Sequence, residues 1–396
     1  MRCPASHTLL LLPFAVGLAG CASPRSEPDA HEPTDAAAAT ADSPVDHADT
    51  GETSDTGATT GCSADDLEAC RYQPEARYEV LAPITRDVSY EDDVGEVRTV
   101  EVSLFRPDGA PRPWPVIVWS HGGAAGLRSS VGVGNEWRDV FVGAGYAFVA
   151  IAHTPREETT TARGGASRMA MCEHFGVTTL PDCARVKYLH YDRPHDFIAV
   201  MDFLEAEAVG PLAGFLDLER VIYAGHSAGT GSTSIVGGAT REIYGMPVMR
   251  PDPRPIAFLA ASMEGVGDDG FPEDGFDAMS RPHLTLSGTG DDTPEAMASW
   301  RRLPFERMLP GDKHRLWIDD EQARHETFDH STDACVTYVT ARSGDTTVCD
   351  RHLVWLESAA LAFVDAHARD RAQAHAWLAS DALVTLSGGV VEWSHR

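Results

Sequence analysis

The segment Val221-Ile-Tyr-Ala-Gly-His-Ser-Ala-Gly229 decides how the chain is read. Val221 to Ala224 is a short apolar run suited to a buried strand. Gly225-His226-Ser227-Ala228-Gly229 follows and fits G-x-S-x-G, and the small residues from Ala228 to Ser234 can open a helix behind it. A serine hydroxyl becomes a useful nucleophile when a sharp strand-to-helix turn lifts it out of a sheet, and such a turn needs neighbours without bulk. Gly225 and Gly229 supply that room. The N–H of Ala228, at the start of the helix, is placed to hold a developing oxyanion. The pattern alone also describes a glycine-rich turn in a Rossmann-like domain, so the reading depends on whether the rest of the chain supplies partners for Ser227.

Upstream, residues 1–20 read as an export signal. Arg2 is the positive end, Leu9 to Leu18 is an apolar run too short for a permanent bilayer span, and Leu18-Ala-Gly-Cys21 closes it. That tetrad resembles the bacterial lipobox, in which cleavage falls before the cysteine and Cys21 is then lipidated. Ala22 at the next position implies sorting to the outer membrane of a Gram-negative cell. Residues 21–61 hold nine acidic residues against Arg25 alone, with no aromatic side chain, which is the composition of a disordered acidic tether. Residues 62–396 are left as the catalytic domain.

The net charge is −28, and the body stays strongly acidic without the tether. That surface argues against nucleic acid or an anionic membrane face as a partner. Besides Cys3 and Cys21 there are six cysteines in three local pairs. Export favours disulfides at 62–70, 172–183 and 335–349 as loop staples, with metal binding as the competing reading. No C-x-x-C knuckle supports metal.

Strand and helix signals alternate from about residue 77, which argues for an α/β domain with a mostly parallel central sheet and helices on both faces. Strands are expected at Val97–Phe105, Pro115–Trp119, Tyr146–Ile151, Val221–Ala224, Pro255–Ala261 and Pro282–Gly288, with Lys313–Ile318 as the last. Helices are expected at Gly134–Val142, from Asp192-Arg-Pro194 onward, and at Leu353–Ala368. The stretch from His153 to Tyr191 has no clear periodicity and reads as an insertion stapled by Cys172 and Cys183. Arg193 and Asp196 read as a helix-start ion pair or cap. Residues 376–396 carry no assignment.

A hydrolytic serine needs a base, an orienting carboxylate and a second oxyanion donor. In open α/β sheets these gather beyond the carboxyl ends of the strands. Asp291 follows one such end at Gly288, and His325 follows another at Ile318. Asp292 is the alternative acid, although it precedes Thr293-Pro294 as a helix cap would. His330 is the alternative base, further from its strand. His121-Gly122-Gly123 can supply the second donor, through the N–H of Gly123 beside that of Ala228. His325-Glu326 and His330 imitate a zinc helix, but histidines five apart do not share a helix face, so no metal is expected.

Together these pieces resemble the α/β-hydrolase superfamily, whose order of nucleophile, acid and base is that of Ser227, Asp291 and His325. Residues 97–330 resemble the branch of dienelactone hydrolases, platelet-activating-factor acetylhydrolases and cutinase-like polyesterases. Ser120-His-Gly-Gly123, Arg193-Pro-His-Asp196, Gly288-Thr-Gly-Asp291, Leu309-Pro-Gly-Asp-Lys313 and His325-Glu-Thr-Phe328 carry the resemblance. Dienelactone hydrolases use a cysteine nucleophile where this chain has Ser227. The expectation is a monomeric, lipid-anchored serine esterase that needs no cofactor and acts on a small-molecule or lipid ester. A peptidase or amidase with the same triad, and a non-catalytic binding module, are the other readings. The anchor predicts that Cys21→Ser releases the protein from membranes or blocks its maturation, as read by fractionation; unchanged membrane association contradicts it.

Overall fold

A computed structural model describes residues 61–123, 127, 129–154, 162–179, 183, 189–267, 271–294 and 296–396. The expected signal over 1–20, Cys21 and the expected tether up to residue 60 lie outside the described residues, as does part of the 153–191 insertion. Among the described residues no helix is long and apolar enough to cross a membrane.

The strands are β1 (Val80–Glu91), β2 (Val97–Pro107), β3 (Trp114–Ser120), β4 (Ala147–Ala152), β5 (Leu216–His226), β6 (Arg241–Ile243), β7 (Met246–Val248), β8 (Ala257–Ala261), β9 (His283–Gly288), β10 (Lys313–Ile318) and β11 (Val391–His395). Nine of them make one sheet in the order β1-β2-β4-β3-β5-β8-β9-β10-β11, and β6 and β7 form a separate hairpin. From β4 to β10 every neighbouring pair is parallel, while β2 is antiparallel to β1 and β4, and β11 is antiparallel to β10. The sheet is therefore mostly parallel, with antiparallel pairing at its margins.

Both faces of the central strands are covered, which explains why they read as continuous apolar runs rather than as alternating ones. Ile117 and Trp119 of β3, with Ile222 and Ala224 of β5, face one core. That core contains Trp137 and Phe141 of α1 (Asn135–Gly143) and a long apolar stripe from the C-terminal helix that spans Thr347–Arg369. Val116, Val118, Val221 and Tyr223 face the other, which contains Phe197, Val200 and Leu204 of the helix Leu189–Ala208. In chain order the helices after α1 are α2 (Ala162–His174), α3 (Leu189–Ala208), α4 (Ala228–Gly237), α5 (Leu303–Arg307), α6 (Asp333–Thr340), α7 (Thr347–Arg369), α8 (Ala372–Leu378) and α9 (Ala382–Leu386).

Four features differ from the sequence expectation. Strand β1 went unanticipated because its residues are mostly half-buried and Pro83 interrupts the pattern, where the register against β2 shifts. Helix α3 starts at Leu189, so Pro194 lies inside it rather than in its first turn. An interior proline costs about 3 kcal/mol. Burying Leu189 and packing Tyr191 against Phe175, at about 1.5–3 kcal/mol for each large side chain, offsets that. The aperiodic stretch contains α2, whose Gly164-Gly165 pair and weak amphipathicity hide it. Finally, β10 is not the last strand. Residues 376–396 include α9 and β11, which extends the sheet edge and seats Trp393 over Leu378, with its indole N–H donating to the Leu378 carbonyl at 3.0 Å.

Disulfides join Cys62 to Cys70, Cys172 to Cys183 and Cys335 to Cys349, the three local pairs expected. Cys335 and Cys349 lie 14 residues apart and tie α6 to the start of α7. A loop of that size constrains the unfolded chain by about 3 kcal/mol. Cys335→Ala/Cys349→Ala is accordingly expected to lower the thermal midpoint by several degrees; an unchanged midpoint contradicts that role.

Candidate active site

Strand β5 ends at His226, α4 begins at Ala228, and Ser227 forms the whole connection. Its φ of 50° and ψ of −123° place it in a region that side-chain-bearing residues rarely occupy. Such a backbone costs about 1–3 kcal/mol and persists only where its surroundings enforce it. Here the enforcement is close packing. A methyl group on Gly229 would come within 2.2 Å of the Ser120 carbonyl oxygen at the end of β3, and one on Gly225 within 2.9 Å. The glycines of the motif are needed because backbone passes against backbone.

Ser227, Asp291 and His325 come together at the carboxyl ends of β5, β9 and β10. His325 Nε2 lies 2.9 Å from Ser227 Oγ, and His325 Nδ1 lies 2.7 Å from Asp291 Oδ1. A carboxylate only accepts, so Nδ1 carries the hydrogen and Nε2 is left to accept from the serine hydroxyl. Gly288 and Gly290 permit this approach, since added methyl groups would meet the carbonyls of Ile318 and Glu321 at 2.6 and 2.5 Å. The alternatives are engaged elsewhere. Asp292 Oδ1 accepts from the Ala298 N–H at 2.7 Å, capping a short 3-10 turn, and His330 Nε2 bonds Glu357 at 3.1 Å. His325 and His330 thus point to different partners.

Three further residues surround the carboxylate. Ser262, just past β8 with φ of 55°, donates to Asp291 Oδ1 at 2.8 Å and sits 2.9 Å from His325 Nδ1. Ser287 donates to Oδ2 at 2.8 Å. Buried Arg301 donates to the backbone carbonyls of Asp291, Ser262 and Met263 at 3.0, 3.1 and 2.9 Å. Burial alone raises the pKa of Asp291, but Arg301, His325 and Ser287 together hold it below the ordinary carboxylate value. It therefore stays ionised. No sequence spacing marks Ser262, Ser287 or Arg301, because single polar residues after apolar strands are common.

The Ser120–Gly123 loop lies against the elbow: a methyl group on Gly122 would approach His226 Nδ1 to 2.8 Å and Ser227 Cβ to 3.3 Å. Arg193 and Asp196 do not cap α3, contrary to the local reading. Arg193 donates to the carbonyls of His121 and Gly123 at 2.7 and 2.6 Å. Asp196 accepts from His153 Nδ1 at 2.8 Å and from the Tyr90 hydroxyl at 2.6 Å, and the other His153 nitrogen lies 2.8 Å from Ser120 Oγ. These residues stand one turn apart on α3 and face the end of the sheet. Their partners are more than 40 positions away in sequence, which is why the cheaper local pairing suggested itself.

Asp329 lies beside the elbow, 3.7 Å from His226. Burial, with Glu136 and Glu326 adding negative charge and His325 opposing them, pushes its carboxyl up to about 7. Its side chain as a whole is 40% exposed, and the burial that matters is that of Oδ1, which lies out of solvent without a hydrogen-bond partner. Among the described residues no cluster of histidine, cysteine and acidic groups is arranged to hold a metal.

A ferulic acid esterase from Streptomyces cinnamoneus is a solved structure similar to this chain, with a TM-score of 0.50 and 20% identity over 81% of this chain and 98% of that one. The likeness shows the fold, and with the sheet order above it makes this an α/β-hydrolase fold. No protein-family model and no curated protein matches the sequence.

Two outcomes follow from the geometry. Gly229→Ala forces a clash with β3 and is expected to yield unfolded or insoluble protein; a folded variant of wild-type stability contradicts the close approach. Because the folded state keeps a proton on Asp329 that the unfolded chain releases near pH 4, its favourable contribution is lost as pH rises to about 7. Asp329→Asn should match wild-type thermal stability below pH 4 and exceed it at pH 8; equal stability at both contradicts the burial.

Proposed function

We propose that the chain is an exported, lipid-anchored serine hydrolase that cleaves small-molecule or lipid carboxylic esters through an acyl-enzyme. The observation that carries the hydrolase reading is the continuous line Ser227 Oγ, His325 imidazole, Asp291 carboxylate, at 2.9 and 2.7 Å, while export and anchoring rest on the Leu18-Ala-Gly-Cys21 sequence. His325 Nε2 takes the hydroxyl proton as Ser227 Oγ attacks the ester carbonyl. Asp291 holds the ring tautomer and stabilises the imidazolium that forms. The N–H groups of Ala228 and Gly123 receive the oxyanion, and the first turn of α4 adds its unsatisfied donors to that charge. Collapse expels the alcohol, which takes its proton from His325. Water, activated by the same imidazole, then releases the acid and regenerates Ser227.

Ester rather than amide is favoured by analogy with the ferulic acid esterase that shares the fold. Kinetics on matched esters and amides test the whole reading. Ser227→Ala and His325→Ala are each expected to lower kcat by roughly 10⁴- to 10⁶-fold, with the double variant little worse than either. Asp291→Asn is expected to cost less than either, and Asp292→Asn to keep most activity. Full ester turnover by pure Ser227→Ala protein overturns the mechanism, and faster turnover of the amide moves the assignment to a peptidase or amidase.

A further inference from the structure

The loop after β3 carries no regular structure, yet its successive carbonyls are each tied down. Arg193 Nη1 takes the carbonyl of His121 at 2.7 Å, His121 Nδ1 donates to that of Gly122 at 2.6 Å, and Arg193 Nη2 takes that of Gly123 at 2.6 Å. In a trans peptide the C=O and the following N–H point in opposite directions. Fixing the His121 and Gly122 carbonyls therefore fixes the N–H groups of Gly122 and Gly123, turned away from the guanidinium and from the His121 ring. The same stretch packs against Ser227 and His226.

We propose that Arg193 is a positioning residue for the reaction: its guanidinium holds the His121 and Gly123 carbonyls on either side of the Gly122–Gly123 peptide, whose own carbonyl accepts from His121 Nδ1, and so steadies the Gly123 N–H toward the oxyanion before substrate arrives. The inference rests on the esterase reading and adds a residue to it. Several features set this contact apart from an ordinary packing arginine. Arg193 is 1% exposed, on the second turn of a helix that projects it at the carboxyl end of the sheet. A planar fork presents its two donors from separate nitrogens at a fixed spacing and in a fixed plane, a geometry that the single nitrogen of an ammonium group does not reproduce. Asp196, one turn further along α3, places a buried carboxylate nearby and through His153 also engages the Ser120 hydroxyl that precedes the loop. His121 is held neutral by burial and by Arg193 itself, so its ring stays a single-proton donor to Gly122. Donors aimed in advance need no reorganisation when charge develops, and losing one typically costs 10²- to 10³-fold in kcat.

The test compares wild type, Arg193→Lys, Arg193→Met and Ser227→Ala on an ester and on its thionoester, whose sulfur is a poor hydrogen-bond acceptor. Both Arg193 variants are expected to lose about 10²-fold in kcat on the ester with KM changed only a few-fold. They should lose far less on the thionoester, so the oxo-to-thiono rate ratio falls at least about tenfold. Arg193→Lys keeps the buried cation and carries the test if Arg193→Met does not fold. A folded Arg193→Lys protein with the wild-type ratio overturns the assignment, and so does an unfolded one, which would make Arg193 a residue of the fold alone. Wild-type turnover lost in Ser227→Ala shows in the same series that the esterase reading stands; if Ser227→Ala remains active, that reading fails instead.

Discussion

The passage of the elbow backbone against the end of β3 is the constraint on which the site depends. Ser120 O leaves no space for a side chain at Gly225 or Gly229. That contact brings the first turn of α4 up to the sheet and holds Ser227 in a backbone conformation costing about 1–3 kcal/mol. It also sets the loop after β3 beside the hydroxyl. A bulkier elbow would separate the two strand ends, and the N–H groups of the loop would no longer converge with the Ser227 hydroxyl. The geometry of the site follows from sheet packing rather than from any side chain acting alone.

Around that contact the chain concentrates buried polar groups that an apolar core would exclude. Ser262, Ser287 and Arg301 surround Asp291, and Arg193, His121, His153 and Asp196 lie behind the loop, with Arg98 of β2 at 3.6 Å from Asp196. Each would cost free energy if left unpaired. Most are satisfied by partners on other strands, so satisfaction of one depends on the placement of several. Such a network resists rearrangement, which is what a preorganised site requires.

Much of this was legible in the sequence, for identifiable reasons. The central strands announce themselves because they are buried on both faces, and the elbow because its glycines are dictated locally. Asp291 and His325 stand out because each follows a strand end, whereas Asp292 caps no helix at Thr293-Pro294 as its neighbours suggested and instead accepts from the more distant Ala298 N–H. What stayed hidden is long-range or marginal. Strand β1 is half-exposed and interrupted by Pro83, β11 mixes polar and aromatic residues at a sheet edge, and α2 carries two adjacent glycines. Arg193 and Asp196 could be seen, but their partners, on β1 and just beyond the ends of β3 and β4, come from the fold, and nothing in their own spacing points there.

Covalent capture of the nucleophile tests the central claim most directly. A fluorophosphonate probe should add one equivalent to the folded protein, and peptide mapping should place it on Ser227. The adduct should form at near-background rate in His325→Ala, because the hydroxyl then lacks its base. Absence of labelling in folded protein, or labelling confined to another residue, would contradict the account.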